Sequence, residues 1–246
     1  MTSAYYRKDR SVNSENNRAD LNKKPEEVAA MFDAVARRYD IANDILSLGQ
    51  TKRWRKRVTK LIAPNVGMRI LDLAAGTGSS SEPLAKKCAA VTALDFSEGM
   101  LAAGRKRRPY IDFVHGDALA LPFEDNYFDV TTISFGLRNT HNYEKALVEA
   151  LRVTKPGGRI FVVEFSQPTF APFRYIYMNY LMKALPAIAR RTTSNPDAYI
   201  YLAESIRAWP NQKELSAKMS GSGWLDVHYV NMTGGVVAVH IGTKAR

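Results

Sequence analysis

One cysteine, Cys88, stands in 246 residues, which excludes an internal disulfide and a cysteine-built zinc site. Long apolar runs are also lacking. The best candidate, Ile176 to Ile188, is interrupted by Asn179, Lys183 and Pro186 and does not suit a membrane span. Arg7, Lys8 and Arg10 have no apolar stretch behind them, unlike a signal peptide, so the expected compartment is the cytoplasm. The four histidines, His115, His141, His228 and His240, show no metal spacing, and no metal is expected. Acids are in short supply: 24 Asp and Glu against 35 Lys and Arg leave a charge of +11, which favours an anionic partner such as nucleic acid, an anionic membrane face or an acidic small molecule.

What is present is an ordinary globular composition, 46% hydrophobic and 24% charged, at a length that fits one large domain. Residues 1–24 are polar and aperiodic and read as a flexible arm ahead of a single domain over 25–246. Pro25, Glu26 and Glu27 start a helix whose apolar face is Val28, Met31, Phe32 and Val35. A second helix is expected from about Asp44 to Leu61. It carries Lys52, Arg53, Arg55, Lys56, Arg57 and Lys60 around Trp54.

From Met68 onward, short apolar runs alternate with helical segments, the pattern of an α/β protein with a mostly parallel, doubly wound sheet. Strands are expected near 69–73, 91–95, 111–115, 128–133 and 159–164, with helices near 79–87, 98–107 and 143–152. A Tyr-rich helical insertion over 167–210 precedes two last strands near 226–231 and 235–242. The sheet should therefore have seven strands.

The segment Ile70 to Gly78 is a strand running into a small-residue turn, and in an open parallel sheet ligands sit off such strand ends. Gly76 and Gly78 permit close backbone approach. Asp95, nineteen residues after Gly76, ends the next strand and can accept from ribose hydroxyls. Asp117, followed by Ala118, can accept from an adenine amino group. A dinucleotide fingerprint would need glycine where Ser81 stands, and Asp72 would sit badly beside a pyrophosphate. Asp72 suits instead the cationic methionine end of S-adenosylmethionine, so a methyltransferase outranks a dehydrogenase.

The loop after the fourth strand reads Ser134-Phe135-Gly136-Leu137-Arg138-Asn139, without the Asn/Asp-Pro-Pro-aromatic motif of base amino-methylating enzymes. Methylation at carbon 5 of pyrimidines needs a cysteine nucleophile, and Cys88 lies away from the strand tips. No nucleic-acid partner is therefore expected. His141, just past this loop, is a candidate acid or base.

With these residues in place, the chain resembles the C-methyltransferases of menaquinone and ubiquinone biosynthesis from about Met31 to Lys244. The marks are Tyr39-Asp40 with Asn43, Ser47, Gly49 and Trp54; Asp72 to Gly78; Ser134 to Asn139; Arg152 to Gly158 with Glu164-Phe165-Ser166; Tyr201 to Ile206; and Met232 to His240. The resemblance implies a class I methyltransferase fold. It also implies cofactor-binding roles for Thr77, Asp95, Asp117, Ala118 and Ser134, beside Asp72, Gly76 and Gly78 read above. Many members have Met and His where this chain has Ala42 and Gln50-Thr51, so a catalytic role for that His does not carry over. The implied acceptor is demethylmenaquinol, with the ubiquinone-pathway benzoquinol as the alternative, and a cofactor-binding module without this activity as the rival class.

A ring carbon becomes nucleophilic only when the quinone is reduced. Arg138 can stabilise a phenolate or orient a water, or else hold the loop through a salt bridge. Tyr39, Asp40 and His141 are the other candidates. Phe170, Phe173, Tyr175, Tyr177, Met178, Tyr180, Leu181, Met182 and Leu185 offer an apolar lid or an ordinary buried helix face. A prenylated substrate lives in a bilayer, and the basic helix around Trp54 is a candidate peripheral contact with anionic lipid, Trp54 lying either at the headgroups or inside the fold.

Overall fold

A computed structural model of the chain describes residues 49–87, 89–192 and 196–246, together with Val28 and Met31. The expected arm over 1–24, the start of the first helix, Cys88 and the segment containing Tyr39 and Asp40 lie outside the described residues.

Seven strands form one sheet: β1 (Arg69–Leu73), β2 (Ala90–Asp95), β3 (Asp112–His115), β4 (Phe128–Ser134), β5 (Thr154–Phe165), β6 (Leu225–Met232) and β7 (Val237–Thr243). Their order is β3-β2-β1-β4-β5-β7-β6, parallel from β3 through β5 and antiparallel at β5–β7 and β7–β6. The crossovers part between β1 and β4, so the sheet's switch point, where ligands bind in such folds, lies between these strands.

Because successive strand residues face opposite sides, each central strand supplies two cores. Leu71 and Leu73 join Leu147 and Val153 of α4 (Tyr143–Val153) with Leu215 and Met219 of α8 (Gln212–Gly221). Ile70 joins Trp54, Val58 and Ile62 of α1 (Gln50–Ile62) on the other side. Beside β2 and β3, Leu101 of α3 (Glu98–Arg107) packs with Ala93 and Phe113. The helix after β1 is shorter than its expected span of 79–87: only α2 (Glu82–Ala85) is helical, because residues 76–81 remain in the turn. Of the first helix, Val28 and Met31 are helical and Met31 is buried against Tyr201.

The insertion consists of α5 (Ala171–Asn179), a π-helical segment (Tyr180–Ala184), α6 (Leu185–Thr192) and α7 (Pro196–Arg207). Proline has no N–H to donate and crowds the carbonyl four residues earlier. Directly before Pro186, the Leu185 N–H reaches back five residues to the Tyr180 carbonyl. α8 was not anticipated, although its start is written in the sequence. Asn211 accepts from the backbone N–H of Glu214 at 3.1 Å while the Glu214 carboxylate accepts from the Asn211 N–H at 2.9 Å, a capping box.

Trp224 closes the core between α8 and α4, fully buried with its indole N–H donating to the Leu147 carbonyl at 3.1 Å. Trp224→Ala should destabilise the protein by about 3–5 kcal/mol. Urea unfolding should show this as a lower midpoint with an unchanged slope.

Candidate active site

At the end of β1, Asp72 is completely buried. One oxygen, Oδ2, accepts from the Ser81 hydroxyl at 2.5 Å, whereas Oδ1 has no hydrogen-bond partner. Burial raises its pKa to about 7; the Ser81 hydrogen bond opposes the shift and the nearby Asp95 charge adds to it. An unpartnered, buried carboxylate oxygen is costly unless a cation or donor meets it. The group therefore fits the ammonium end of an amino-acid-bearing ligand.

The next strand supplies the second acid. Asp95 Oδ2 accepts from the Gly76 N–H at 2.7 Å and Oδ1 from the Ser97 N–H at 2.8 Å. Its carboxylate thus ties the turn after β1 to the head of α3. Gly76 takes φ +56° and Gly78 φ +77°. At Gly78 a side chain would strike the Phe113 ring at 2.7 Å, so the missing Cβ also serves packing. Thr77 is buried, and its carbonyl accepts from Arg108 Nη1 at 2.9 Å while Arg108 Nε holds Glu82 at 2.8 Å.

Off β3, Asp117 Oδ1 accepts from the Leu119 N–H at 2.9 Å and Ala118 is buried. The Gly116 N–H donates to the Asp95 carbonyl at 3.1 Å, so the loops after β2 and β3 are joined. The structure therefore gathers Asp72, Gly76, Thr77, Gly78, Asp95, Asp117 and Ala118 along one edge of the sheet. Ser134 ends the neighbouring β4.

Across the switch point the loops after β1 and β4 touch. A Cβ on Gly136 would collide with the Ala74 methyl, and both Ala74 (φ 48°) and Phe135 (φ 60°) are held in the left-handed region. That backbone costs a non-glycine residue roughly 1–2 kcal/mol, and such strain gathers where function needs a special geometry.

Beside Phe135 lies a buried ion pair. Arg138 Nη1 donates to Glu164 Oε1 at 2.8 Å and to the Phe135 carbonyl at 2.6 Å, and the Arg138 backbone N–H donates to Glu164 Oε2 at 3.2 Å. Arg138 Nε is buried with no partner. The salt-bridge arrangement expected as one reading of Arg138 is present, with a donor left over. Asn139 accepts from the Tyr201 hydroxyl at 3.2 Å. His141 is exposed, one residue before the Asn142 cap of α4.

Trp54, Phe135 and Phe165 form an aromatic cluster with ring centroids 5.0–6.4 Å apart, and Trp54, Ser80, Thr132, Ser134 and Phe135 line a crevice there. Trp54 is buried, its indole donating to Thr233 Oγ1 at 2.8 Å, which removes it from any headgroup layer. The expected lid divides in two. Phe173 and Tyr177 pack inward, and burial pushes the Tyr177 phenol up against the opposing charge of Arg138. Phe170, Tyr175 and Tyr180 point outward. Sequence reading missed the partners Ser81 and Glu164. A charged residue inside the run Phe161-Val162-Val163-Glu164-Phe165 was the signal for the second, since a buried acid needs a partner.

Asp72 generates a testable sign. With a pKa of about 7 in the folded protein against 3.8 ordinarily, the folded state holds a proton there that the unfolded chain has lost between about pH 4 and 7. Its contribution to stability therefore falls as pH rises through that window, by at most about 1.4 kcal/mol per pH unit. Asp72→Asn, without ligand, should grow more stable relative to the parent from pH 4 to 7 and hold that gain above. Urea titrations at four pH values read this directly, and a pH-independent difference would refute it.

The sequence model of the ubiE/COQ5 methyltransferase family matches residues 20–244. The chain is 61% identical over 227 residues to the demethylmenaquinone methyltransferase of Renibacterium salmoninarum, covering 92% of this chain and 96% of that protein. It is 57% identical over 228 residues to the enzyme of the same name from Streptomyces avermitilis, covering 93% and 99%. Among solved structures, a SAM-dependent methyltransferase from Thermotoga maritima, described as a possible histamine N-methyltransferase, superposes with a TM-score of 0.65 at 21% identity, covering 88% of this chain and 99% of that one. A seven-stranded sheet of this order, two acids on adjacent strand ends and a match across nearly the whole sequence agree, and the chain belongs to the ubiE/COQ5 methyltransferase family.

Proposed function

We propose that the protein transfers a methyl group from S-adenosylmethionine to a ring carbon of demethylmenaquinol, giving menaquinol. The observation that carries the cofactor assignment is Asp72 Oδ1, buried and unpartnered at the switch point. The acceptor rests on the likeness to relatives named demethylmenaquinone methyltransferase at 54–61% identity over more than nine-tenths of this chain.

Asp72 receives the α-ammonium, Gly76, Thr77 and Gly78 the methionine portion, Asp95 the ribose hydroxyls, and Asp117 with Ala118 the adenine. Ser134 closes the pocket at β4. Once bound, S-adenosylmethionine supplies an electrophilic methyl group on a sulfonium. The Trp54, Phe135 and Phe165 cluster gives an apolar wall that excludes water and positions a flat ring. Arg138 spends its Nη1 donor on Glu164 and Phe135, which locks its plane, and its buried, unpartnered Nε–H is the donor proposed for a ring oxyanion. Its charge is already balanced by Glu164, so Arg138 orients the oxyanion more than it neutralises it. Tyr39, Asp40 and His141 are the groups proposed to take the hydroxyl proton.

Among the described residues no helix is long and apolar enough to cross a membrane. A prenylated quinol must then be met at a bilayer surface, and α1 exposes Lys52, Arg53, Lys56, Arg57 and Lys60 toward solvent as a basic face for peripheral contact with anionic lipid.

Labelled S-adenosylmethionine and a short-chain demethylmenaquinol should yield label on the quinol ring carbon. Turnover should require reductant, because the oxidised ring is not nucleophilic. Equal turnover of the quinone without reductant would exclude this chemistry. Asp95→Ala should weaken S-adenosylmethionine binding by about 1.5–3 kcal/mol, or roughly tenfold to a hundredfold, in calorimetry on the folded variant.

A further inference from the structure

α5 has two apolar faces where a surface helix needs one. Phe173, Tyr177 and, one turn on, Leu181 face inward: the first two pack against the core that contains Trp54 and Val236, and Leu181 is buried. Other large apolar side chains of the segment are exposed: Phe170 at the N-cap, Tyr175 and Ile176 in the helix, with relative accessibilities of 67%, 74% and 65%, and Tyr180 just after it. No residue of α5 is fully buried. So many large apolar side chains held in water together mark a contact surface rather than scattered exposure.

Charge selects the contact. From Phe165 to Pro196 the sequence contains Arg174, Lys183, Arg190 and Arg191 and no acidic residue, a run of 32 residues. Arg174, Lys183 and Arg190 are exposed. Exposed aromatic and branched side chains in a segment that carries cations and no acids match an anionic phospholipid surface, where rings settle at the headgroup level and Arg and Lys pair with phosphates. A protein partner with an acidic face would not need the apolar side chains, and a second copy of this chain would bring the same cations together.

Position ties this face to the site. The turn between β6 and β7 is touched by both helices: Trp54 of α1 donates to Thr233, and the Phe173 ring of α5 closes on Gly234, where an added Cβ would lie 3.1 Å away. α5 therefore flanks α1, with its exposed cations, at the carboxyl edge of the sheet. Its inward face joins the Phe135 and Phe165 cluster region.

We propose that the exposed apolar side chains of α5 and its N-cap, Phe170, Tyr175 and Ile176, insert into the headgroup layer of an anionic bilayer and hold the site's mouth against the membrane. The route it implies for a prenylated substrate rests on the quinol reading, whereas the insertion itself does not. α5 is then a two-sided helix: one face closes over the ring and the other meets the lipid from which the substrate comes. The cations of α1 act as the rim of this contact, not its centre.

The test uses the full chain and vesicles without substrate. The wild type should co-sediment with phosphatidylglycerol-containing vesicles and much less with phosphatidylcholine alone. The triple variant Phe170→Ser, Tyr175→Ser, Ile176→Ser should lose at least tenfold in partitioning while keeping its melting temperature, its S-adenosylmethionine affinity and its turnover of a water-soluble short-chain quinol. All three native tryptophans are buried. Ile176→Trp should therefore report the face directly, with emission that shifts to the blue on vesicles and is quenched by lipids brominated on the tail. Vesicle binding without shift or quenching, or loss of binding only on changing Lys52, Arg53, Lys56 and Lys60 to Gln, would place the contact on α1 and overturn the proposal. A wild-type dimer that becomes a monomer in the triple variant, with vesicle binding unchanged, would make this face a self-association surface and also overturn it. Insertion without methylation of demethylmenaquinol would leave this inference standing and remove the acceptor.

Discussion

A carboxylate buried at the end of a central strand, with one oxygen left unpartnered, sets the terms for the rest of this molecule. Asp72 can be there only because β1 lies in the middle of a seven-stranded sheet, with β2 on one side and β4 on the other, and helices over both faces. Its other oxygen is satisfied by Ser81, which is why the chain stays in a turn through that position before α2 begins. The arrangement raises the group's proton affinity and destabilises the charged form, and a cation is what reverses both effects. The protein thus carries a local instability at this position, which in the proposed function the ammonium of S-adenosylmethionine relieves.

The same economy appears across the switch point. Ala74 and Phe135 sit in unfavourable backbone conformations so that two loop tips can meet, and Gly136 has no side chain because none would fit. Glu164, at the end of β5, stabilises that loop from the neighbouring strand by receiving both the backbone and the guanidinium of Arg138. Removing either partner would leave a buried charge, so the pair is a structural requirement of the loop before it is anything else. The orphan Nε is then a donor whose direction is set by packing.

Farther from the site, basic residues organise carbonyls as well as acids. Lys244 Nζ lies within 2.7–3.2 Å of the Asn126 side chain and the carbonyls of Leu151, Arg152 and Thr154, closing the exposed end of α4. Arg152 reaches the carbonyls of Leu121 and Phe123 as well as Glu149 and Asp125. These contacts account for part of the resemblance carried by Arg152 to Gly158: Arg152 ties the end of α4 to the loop after β3, the loop that carries Asp117 and Ala118. His240 is similar. It is buried with its pKa lowered to about 4 by desolvation, and its Nε2 meets the Gln212 carbonyl at 2.9 Å.

All seven strands and their order of appearance were legible in the sequence, because buried parallel strands are short apolar runs between turn residues, and that pattern is local. The glycine turn, Asp72, Asp95 and Asp117 were legible for the same reason: each stands at a strand end, and a strand end is a local feature. β5 proved longer than expected, starting at Thr154, because Pro156-Gly157-Gly158 breaks its register with β4 without ending the strand, and only pairing reveals that. α8 was overlooked although its capping box lay in plain view, since its apolar face is only Leu215 and Met219. What tertiary structure alone decided were the partners: Ser81 for Asp72, Glu164 for Arg138, Thr233 for Trp54, and which side of α5 turns inward. Trp54 shows why. In sequence it stands among six cations and reads equally well as a surface anchor, but its indole finds a hydroxyl 179 residues away, and no local pattern encodes a contact made by packing one end of the chain against the other.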